Sequence, residues 1–435
     1  MLRTLTILLL LAATGTRAQQ LYFPPNTGTT WDTLSPASLG WCTDSIPPLY
    51  DFLEQSNSKA FLVLKDGRMV LEKYFGTFTQ DSLWYWASAG KSLTAFLVGK
   101  AREDGFLDIT DTSAQYLGNG WTSCPPDKEE KITVWHQLTM TSGLDDGNGN
   151  VDCTDPVCLE YLADAGTRWA YHNAPYTLLD GVIENATGQT LNAYLFNELT
   201  LTTGLTGAYL PIGYNNVMFS TPRNMARFGL LMQAGGTWNG NVVMADTAYL
   251  HAMVTPSQAL NPAYGYLWWL NGQSSYKLPG FQFDIPGPLM PNAPMDAYNA
   301  MGKNGQLINV SPSTGLVVVR VGDLPGGLFV PNLYNDSIWI HLNKVICDAQ
   351  TGLAEVHEER QALPYPNPAS DQVRWPLEPG NTVLGVTAIG MDGRRIPLSW
   401  NGELVELGGL TPGTYVLERR FGKGLIERAR MNVVR

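Results

Sequence analysis

Trp86-Ala87-Ser88-Ala89-Gly90-Lys91-Ser92-Leu93-Thr94-Ala95-Phe96-Leu97-Val98 is the stretch on which both fold and chemistry turn. An aromatic, strand-like run, Leu83–Trp86, leads into it, and an apolar helical run, Leu93–Val98, leads out. Ser88 therefore stands where a buried helix begins. Residues three apart share a helix face, so Lys91 lies one turn along, beside the Ser88 hydroxyl. A helix start also supplies free N–H groups and a positive dipole end. Serine is a weak nucleophile until a base takes its proton. A lysine in an apolar pocket becomes such a base, because desolvation lowers its pKa. Ser-x-x-Lys also occurs at Ser56–Lys59 and Ser274–Lys277. Both lie in polar stretches with no buried helix behind them and read as surface. Taken alone, Ser88 and Lys91 fit an N-cap serine and a solvated lysine equally well, so the rest of the chain decides.

Before this stretch, Ser45–Gln55 has a helical pattern. Ala60–Leu64 and Met69–Tyr74 read as strands around Lys65-Asp66-Gly67-Arg68, and an Asp-Gly between apolar runs signals a hairpin. After it, Asp108–Leu117 and Thr133–Leu138 are loop and helix pieces, and Tyr176–Ala186 and Pro222–Gln233 are helices. Ala263–Leu270, Leu307–Val310 and Leu316–Val321 read as strands, and Ser337–Cys347 as a closing helix. Strands at both ends with helices between them predict an α+β fold: an antiparallel β-sheet flanked by helices, with a helical lobe inserted between its strands. Lys277–Pro294 carries five prolines and reads as a long loop, either a lid or a packed surface segment.

The chain has 435 residues, 44% of them hydrophobic and 15% charged, enough to bury a large core. Residues 19–363 hold 17 Lys+Arg against 32 Asp+Glu, whereas residues 364–435 hold 9 against 7. An acidic body argues against nucleic acid or an anionic membrane as partner. Residues 1–18 read as a signal peptide, with Arg3, the apolar run Leu5–Ala13 and the exit Thr16-Arg17-Ala18. The run is too short to span a bilayer, which disfavours the rival reading of an N-terminal membrane anchor. Five cysteines fit an oxidising compartment, and Cys153 is expected to pair with Cys158 in a loop rich in Asp and Thr. The five histidines form no H-E-x-x-H spacing, so neither metal nor cofactor is expected.

Two further elements join Ser88 and Lys91. Thr167-Arg168-Trp169-Ala170-Tyr171-His172-Asn173 places Tyr171 before a helix. A tyrosine near a lysine ammonium exchanges a proton readily, and Asn173 can hydrogen-bond a substrate carbonyl. Met301-Gly302-Lys303-Asn304-Gly305-Gln306 precedes a strand. There Lys303 and backbone N–H groups would meet a bound carbonyl or carboxylate. Each element is weak alone.

In the order Ser-x-x-Lys, Tyr-x-Asn, Lys-x-Gly they resemble the penicillin-recognising serine hydrolases: class C β-lactamases, DD-peptidases and the related esterases and aminohexanoate-oligomer hydrolases. Ile132–Leu144, Tyr171–Tyr176 with Leu178-Leu179, and Ser220–Gly229 are similar to further segments of that family. The resemblance covers roughly residues 40–345 and implies the β-lactamase/transpeptidase-like fold over residues 19–350. It implies Ser88 as nucleophile, Lys91 and Tyr171 as the base pair with the proton's holder open, and Asn173 and Lys303 as substrate-binding residues. It also implies an oxyanion hole from the N–H groups of Ser88 and Gln306, and a structural His136. Asn304 stands where β-lactamases carry a threonine, which points to the esterase and oligomer-hydrolase branch. The expected function is an exported serine hydrolase of small esters, amides or peptides. DD-peptidase, β-lactamase and a non-catalytic binding or sensor protein are the alternatives. The same fold implies a Cys42–Cys347 bridge, with Cys42–Cys124 as its rival.

Residues 351–363 read as a polar linker. Beyond them short strands and turn signals predict a small β-sandwich at 364–435, without His or Cys. Leu363–Ala369, Asp392-Gly393-Arg394 and Leu410–Leu417 resemble the C-terminal sorting domain of type IX secretion substrates. That resemblance implies secretion machinery as a partner and a secreted or outer-membrane-surface location. A carbohydrate-binding or spacer domain is the alternative.

Overall fold

Continuous apolar runs on either side of a two-residue Asp66-Gly67 turn fold β1 (Ser58–Lys65) back onto β2 (Arg68–Tyr74), as the sequence predicts. Helix α1 (Ile46–Gln55) precedes them and buries Leu49 and Leu53. The structure is a computed structural model that describes residues 21–147, 149–325, 330–347, 363–377, 382–390, 394–421 and 426–434. The expected signal peptide lies outside the described residues, as does the linker up to residue 362.

After β2 the chain enters the inserted lobe. It runs through β3 (Trp84–Tyr85), α2 (Gly90–Glu103), α3 (Val134–Leu138), α4 (Asn173–Thr187), β4 (Ala208–Ile212) and β5 (Asn215–Ser220). It then returns through α5 (Pro222–Gln233), β6 (Trp269–Leu270), β7 (Tyr298–Gly302), β8 (Gln306–Ser311), β9 (Leu316–Gly322) and α6 (Asn332–Ile346). Six strands form one antiparallel sheet in the order β2-β1-β9-β8-β7-β6. Helix α5 lies across β1, β8 and β9. A Cβ on its Gly229 would come within 2.5 Å of Val317 Cγ1, so glycine lets helix and sheet close together. Helix α2 is buried from Gly90 to Ala101 and is crossed by α4. This is the expected β-lactamase/transpeptidase-like α+β architecture.

Three boundaries differ from the sequence reading. Helix α4 starts at Asn173, where Pro175 costs no hydrogen bond in the first turn. Helix α6 starts at Asn332, five residues before Ser337. Of Ala263–Leu270 only Trp269–Leu270 is strand, because Leu267 sits at φ 58° and breaks the extended run. The proline-rich loop 277–294 is a packed segment: Leu278, Phe281, Leu289 and Met290 are all buried.

Cys42 is bonded to Cys347, with Cα atoms 5.5 Å apart, and Cys153 to Cys158, leaving Cys124 as the free thiol. The first bridge ties α6 to the segment before α1, where the Cys42 N–H also donates to Val345 O at 2.8 Å. Two disulfides fit an extracellular or periplasmic compartment. No described helix is long and apolar enough to cross a membrane. Among the described residues no cluster of metal-binding side chains occurs.

The C-terminal region is strand-rich. A four-stranded and a three-stranded sheet enclose a core that includes Val373, Trp375, Leu417 and Met431. Ile389 and Val416 join the hydrophobic cluster of the body. Arg428 lies over the Phe283 ring at 5.7 Å, against the 277–294 loop.

Candidate active site

Strand pairing of β3 with β5 delivers the chain to Trp86, whose indole N–H donates to Ser220 Oγ at 2.7 Å. Ala87 then adopts φ 47°, a left-handed conformation rare for alanine. The chain turns there through Ala87–Ala89 into α2. Strand β7 passes alongside. A Cβ on Gly302 would lie 2.4 Å from Trp86 O and 3.1 Å from Ser88 N, so only glycine admits the strand edge this close.

Lys91 is almost wholly buried, and its Nζ donates to Ser88 Oγ at 3.1 Å. The same Nζ lies 4.1 Å from the Tyr176 ring centroid and 5.3 Å from that of Tyr171. Burial lowers its pKa to about 7, against the opposing pull of Asp152 and Asp180. Tyr171 is buried among Trp169, Tyr264 and Trp269, stacking on Trp269 at 5.6 Å. Burial raises its pKa well above the usual phenol value, an effect the Ser88 hydroxyl opposes. One group is thus pushed toward a free amine and the other toward a retained proton.

Asn173 opens α4, and its Nδ2 donates to Asp152 Oδ1 at 2.7 Å. Asp152 belongs to a loop stapled by Cys153–Cys158. Ala174 N–H to Val151 O at 3.0 Å and Tyr214 O–H to Asp155 at 2.6 Å fix that loop against the lobe. A cleft of about 450 Å³ opens over Ser88, lined also by Lys91, Asn173, Tyr176, Tyr85, Asp152, Phe219, Lys303 and Asn304.

Ser88, Lys91, Asn173 and Lys303 thus share one cleft, and Tyr171 faces Ser88 from its buried aromatic shelf. Gln306 is not among the residues that line the cleft. It is fully buried, with Nε2 donating to Gly322 O at 2.7 Å and Lys303 O at 3.1 Å, so its side chain joins β8 to β9. His136 completes the N-terminal cap of α3 with Thr133, in keeping with a structural role. Ser56 is engaged by the Tyr334 hydroxyl and Lys277 by Asp284.

The sequence reading missed Asp152, Asp180, Gly302 and Arg320. Arg320 is fully buried on β9. It donates to the carbonyls of Asn304 at 2.7 Å, Gly305 at 3.0 Å and Ser56 at 2.8 Å, and to Ser58 Oγ at 2.9 Å. Asn304, at φ 62°, donates to Tyr85 O–H at 2.9 Å. Two signals were present in the sequence: a lone charge in the apolar run Leu316–Val321, and an aspartate among Leu179, Val182 and Ile183.

The model of the family described as Beta-lactamase matches residues 52–329. The 6-aminohexanoate-dimer hydrolase of Paenarthrobacter ureafaciens is 23% identical over 330 residues, 64% of this chain and 76% of that enzyme. Among solved structures, one from Bacillus anthracis, provisionally named a 6-aminohexanoate-dimer hydrolase, aligns with a TM-score of 0.56 at 17% identity. It covers 74% of this chain and 90% of that one. A penicillin-binding-protein homologue from Caulobacter crescentus aligns at 0.53 and 16% identity, over 71% of this chain and 98% of that one.

Proposed function

This chain belongs to the Beta-lactamase family of serine hydrolases, and on that premise we propose that it is an exported carboxylesterase or amidase working through a Ser88 acyl-enzyme. The observation that carries the reading is the 3.1 Å contact between Ser88 Oγ and an amine buried to 3% exposure. Lys91 is the base: it takes the Ser88 proton as Oγ bonds to the substrate carbonyl carbon. The oxyanion meets the N–H of Ser88 and a second N–H from the β7 edge. We assign that second donor to Lys303, the residue after Gly302, in place of the Gln306 expected from the motif. Tyr171, which keeps its proton, passes it to the leaving group and recovers one from Lys91. Water then cleaves the Ser88 ester by the same groups in reverse. Asn173 holds the acyl carbonyl side, and Lys303 a substrate carboxylate.

A panel on the purified protein tests this: nitrophenyl esters, aminohexanoate dimers, D-alanyl peptides and nitrocefin. Ester or linear amide turnover is expected to exceed nitrocefin turnover. Asn304 supplies no hydroxyl for an antibiotic carboxylate, and its amide is committed to Tyr85 and Asp323. Nitrocefin as the best substrate would move the protein to the β-lactamase branch. Turnover of none, with no covalent labelling of Ser88, would favour the binding or sensor alternative.

We also propose that residues 364–435 act as the sorting domain for type IX export. A core cluster of their own, joined to the body through Ile389 and Val416, and the absence of His and Cys support a non-catalytic task. A tail-deleted chain should accumulate in the periplasm of its host, and its arrival at the surface would refute the assignment.

A further inference from the structure

Three carboxyl groups among the described residues are buried: Glu129, Glu418 and Asp180. Glu129 accepts from Gly120 N–H and from both the N–H and the hydroxyl of Thr122. Glu418 is ringed by Arg395, Arg420 and Arg428. Asp180 has 7% exposure, and neither of its oxygens has a partner at full hydrogen-bond geometry; the Asn216 side chain is the single donor that acts on it, and weakly against its burial. An ionised carboxylate left so is costly, and the group keeps its proton instead.

Its position gives that proton a use. Asp180 lies on α4 one turn beyond Tyr176, whose ring underlies the Lys91 ammonium position at 4.1 Å. From α2 it faces Lys91, from β4 Tyr209 and from β5 the uncharged Asn216. Tyr176 and Glu184 face it from its own helix, and Asp152 faces Lys91 from the stapled loop. Burial raises the Asp180 pKa to about 8; Asn216 and Lys91 pull against that rise, and Glu184 adds to it.

We infer that Asp180 is a positioning residue for Lys91: it rests as a neutral acid, holding the one proton of the pair and leaving the Lys91 amine free to take another from Ser88. The inference rests on the reading of Ser88 and Lys91 given above. Two coupled groups release two protons in macroscopic steps. The first leaves the lysine for solvent, the second the carboxyl. After the second step a carboxylate stands behind Lys91 and stabilises the ammonium formed when Ser88 is attacked. Reactivity therefore climbs twice with pH.

The test is the rate at which a fluorophosphonate modifies Ser88, followed from pH 5 to pH 10 in the wild type and in Asp180→Asn. The wild type is expected to show two rising steps. The variant is expected to keep the first at the same pH and lose the second, a deficit of about tenfold at the alkaline end, equivalent to one unit of base strength. Superimposable profiles, a single wild-type step, or a variant whose first step falls by a full pH unit would each overturn the inference. The last would mean an ionised carboxylate beside an ammonium. Infrared spectra of the wild type give a second measurement that survives a misfolded variant. A protonated-carboxyl band present at neutral pH should vanish on a jump to alkaline pH, and a spectrum without that band at neutral pH would refute the assignment. If Ser88 is unmodified at every pH, the functional reading fails, and the band still decides Asp180.

Discussion

Ser88→Ala abolishes labelling by a fluorophosphonate probe and lowers hydrolysis of the best substrate on the order of 10³-fold or more. The Ser88 hydroxyl is the one that receives the Lys91 Nζ, at 3.1 Å, at the floor of the cleft. Removing it leaves the oxyanion donors and the cleft in place but no atom to form the ester. The substitution deletes one oxygen at the start of a buried helix, so α2 should fold unchanged, and a melting curve matching the wild type checks that. Labelling that persists on another serine would end the assignment.

Arg320→Met should unfold the enzyme earlier and slow it at once. The guanidinium donates to three backbone carbonyls and to the Ser58 hydroxyl in a fully buried place. A methionine fills most of the volume and satisfies none of them. Each buried acceptor left without a donor costs about 1–3 kcal/mol. With partial relaxation the total is roughly 4 kcal/mol, a drop of about 6 °C in melting temperature for a body of this size. Two of the orphaned carbonyls belong to Asn304 and Gly305, in the turn that carries Lys303 beside Ser88. The turn should therefore loosen, and kcat should fall further than the stability loss explains. Equal melting temperatures, or a stability loss with unaltered kcat in the folded fraction, would show that the arginine does not position the turn.

Much of this protein is written locally. The Asp66-Gly67 hairpin, the apolar run behind Ser88 and the helix Pro222–Gln233 each follow from neighbours within a few residues, and the structure agrees with them. The three-residue spacing of Ser88 and Lys91 already implies their contact, because helical pitch enforces it. The Cys153–Cys158 bridge follows from the short loop between its ends. The Cys42–Cys347 bridge needed the fold as well, since 305 residues separate its halves.

What the sequence left open is what depends on surroundings. Leu267 turns a predicted strand into a bend, and no local pattern announces its positive φ. Gln306 follows the Lys-x-Gly motif by one residue, yet its side chain turns into the sheet and donates to Gly322 O and Lys303 O. Asp180 and Arg320 look in sequence like ordinary charges, and only burial makes one a neutral acid and the other a clamp. Sequence by itself determined which residues stand near one another along the chain, the helix that carries Ser88 and the family these motifs belong to. Tertiary structure alone decided the proton balance of the site, because desolvation is set by everything packed around a group and by no single neighbour.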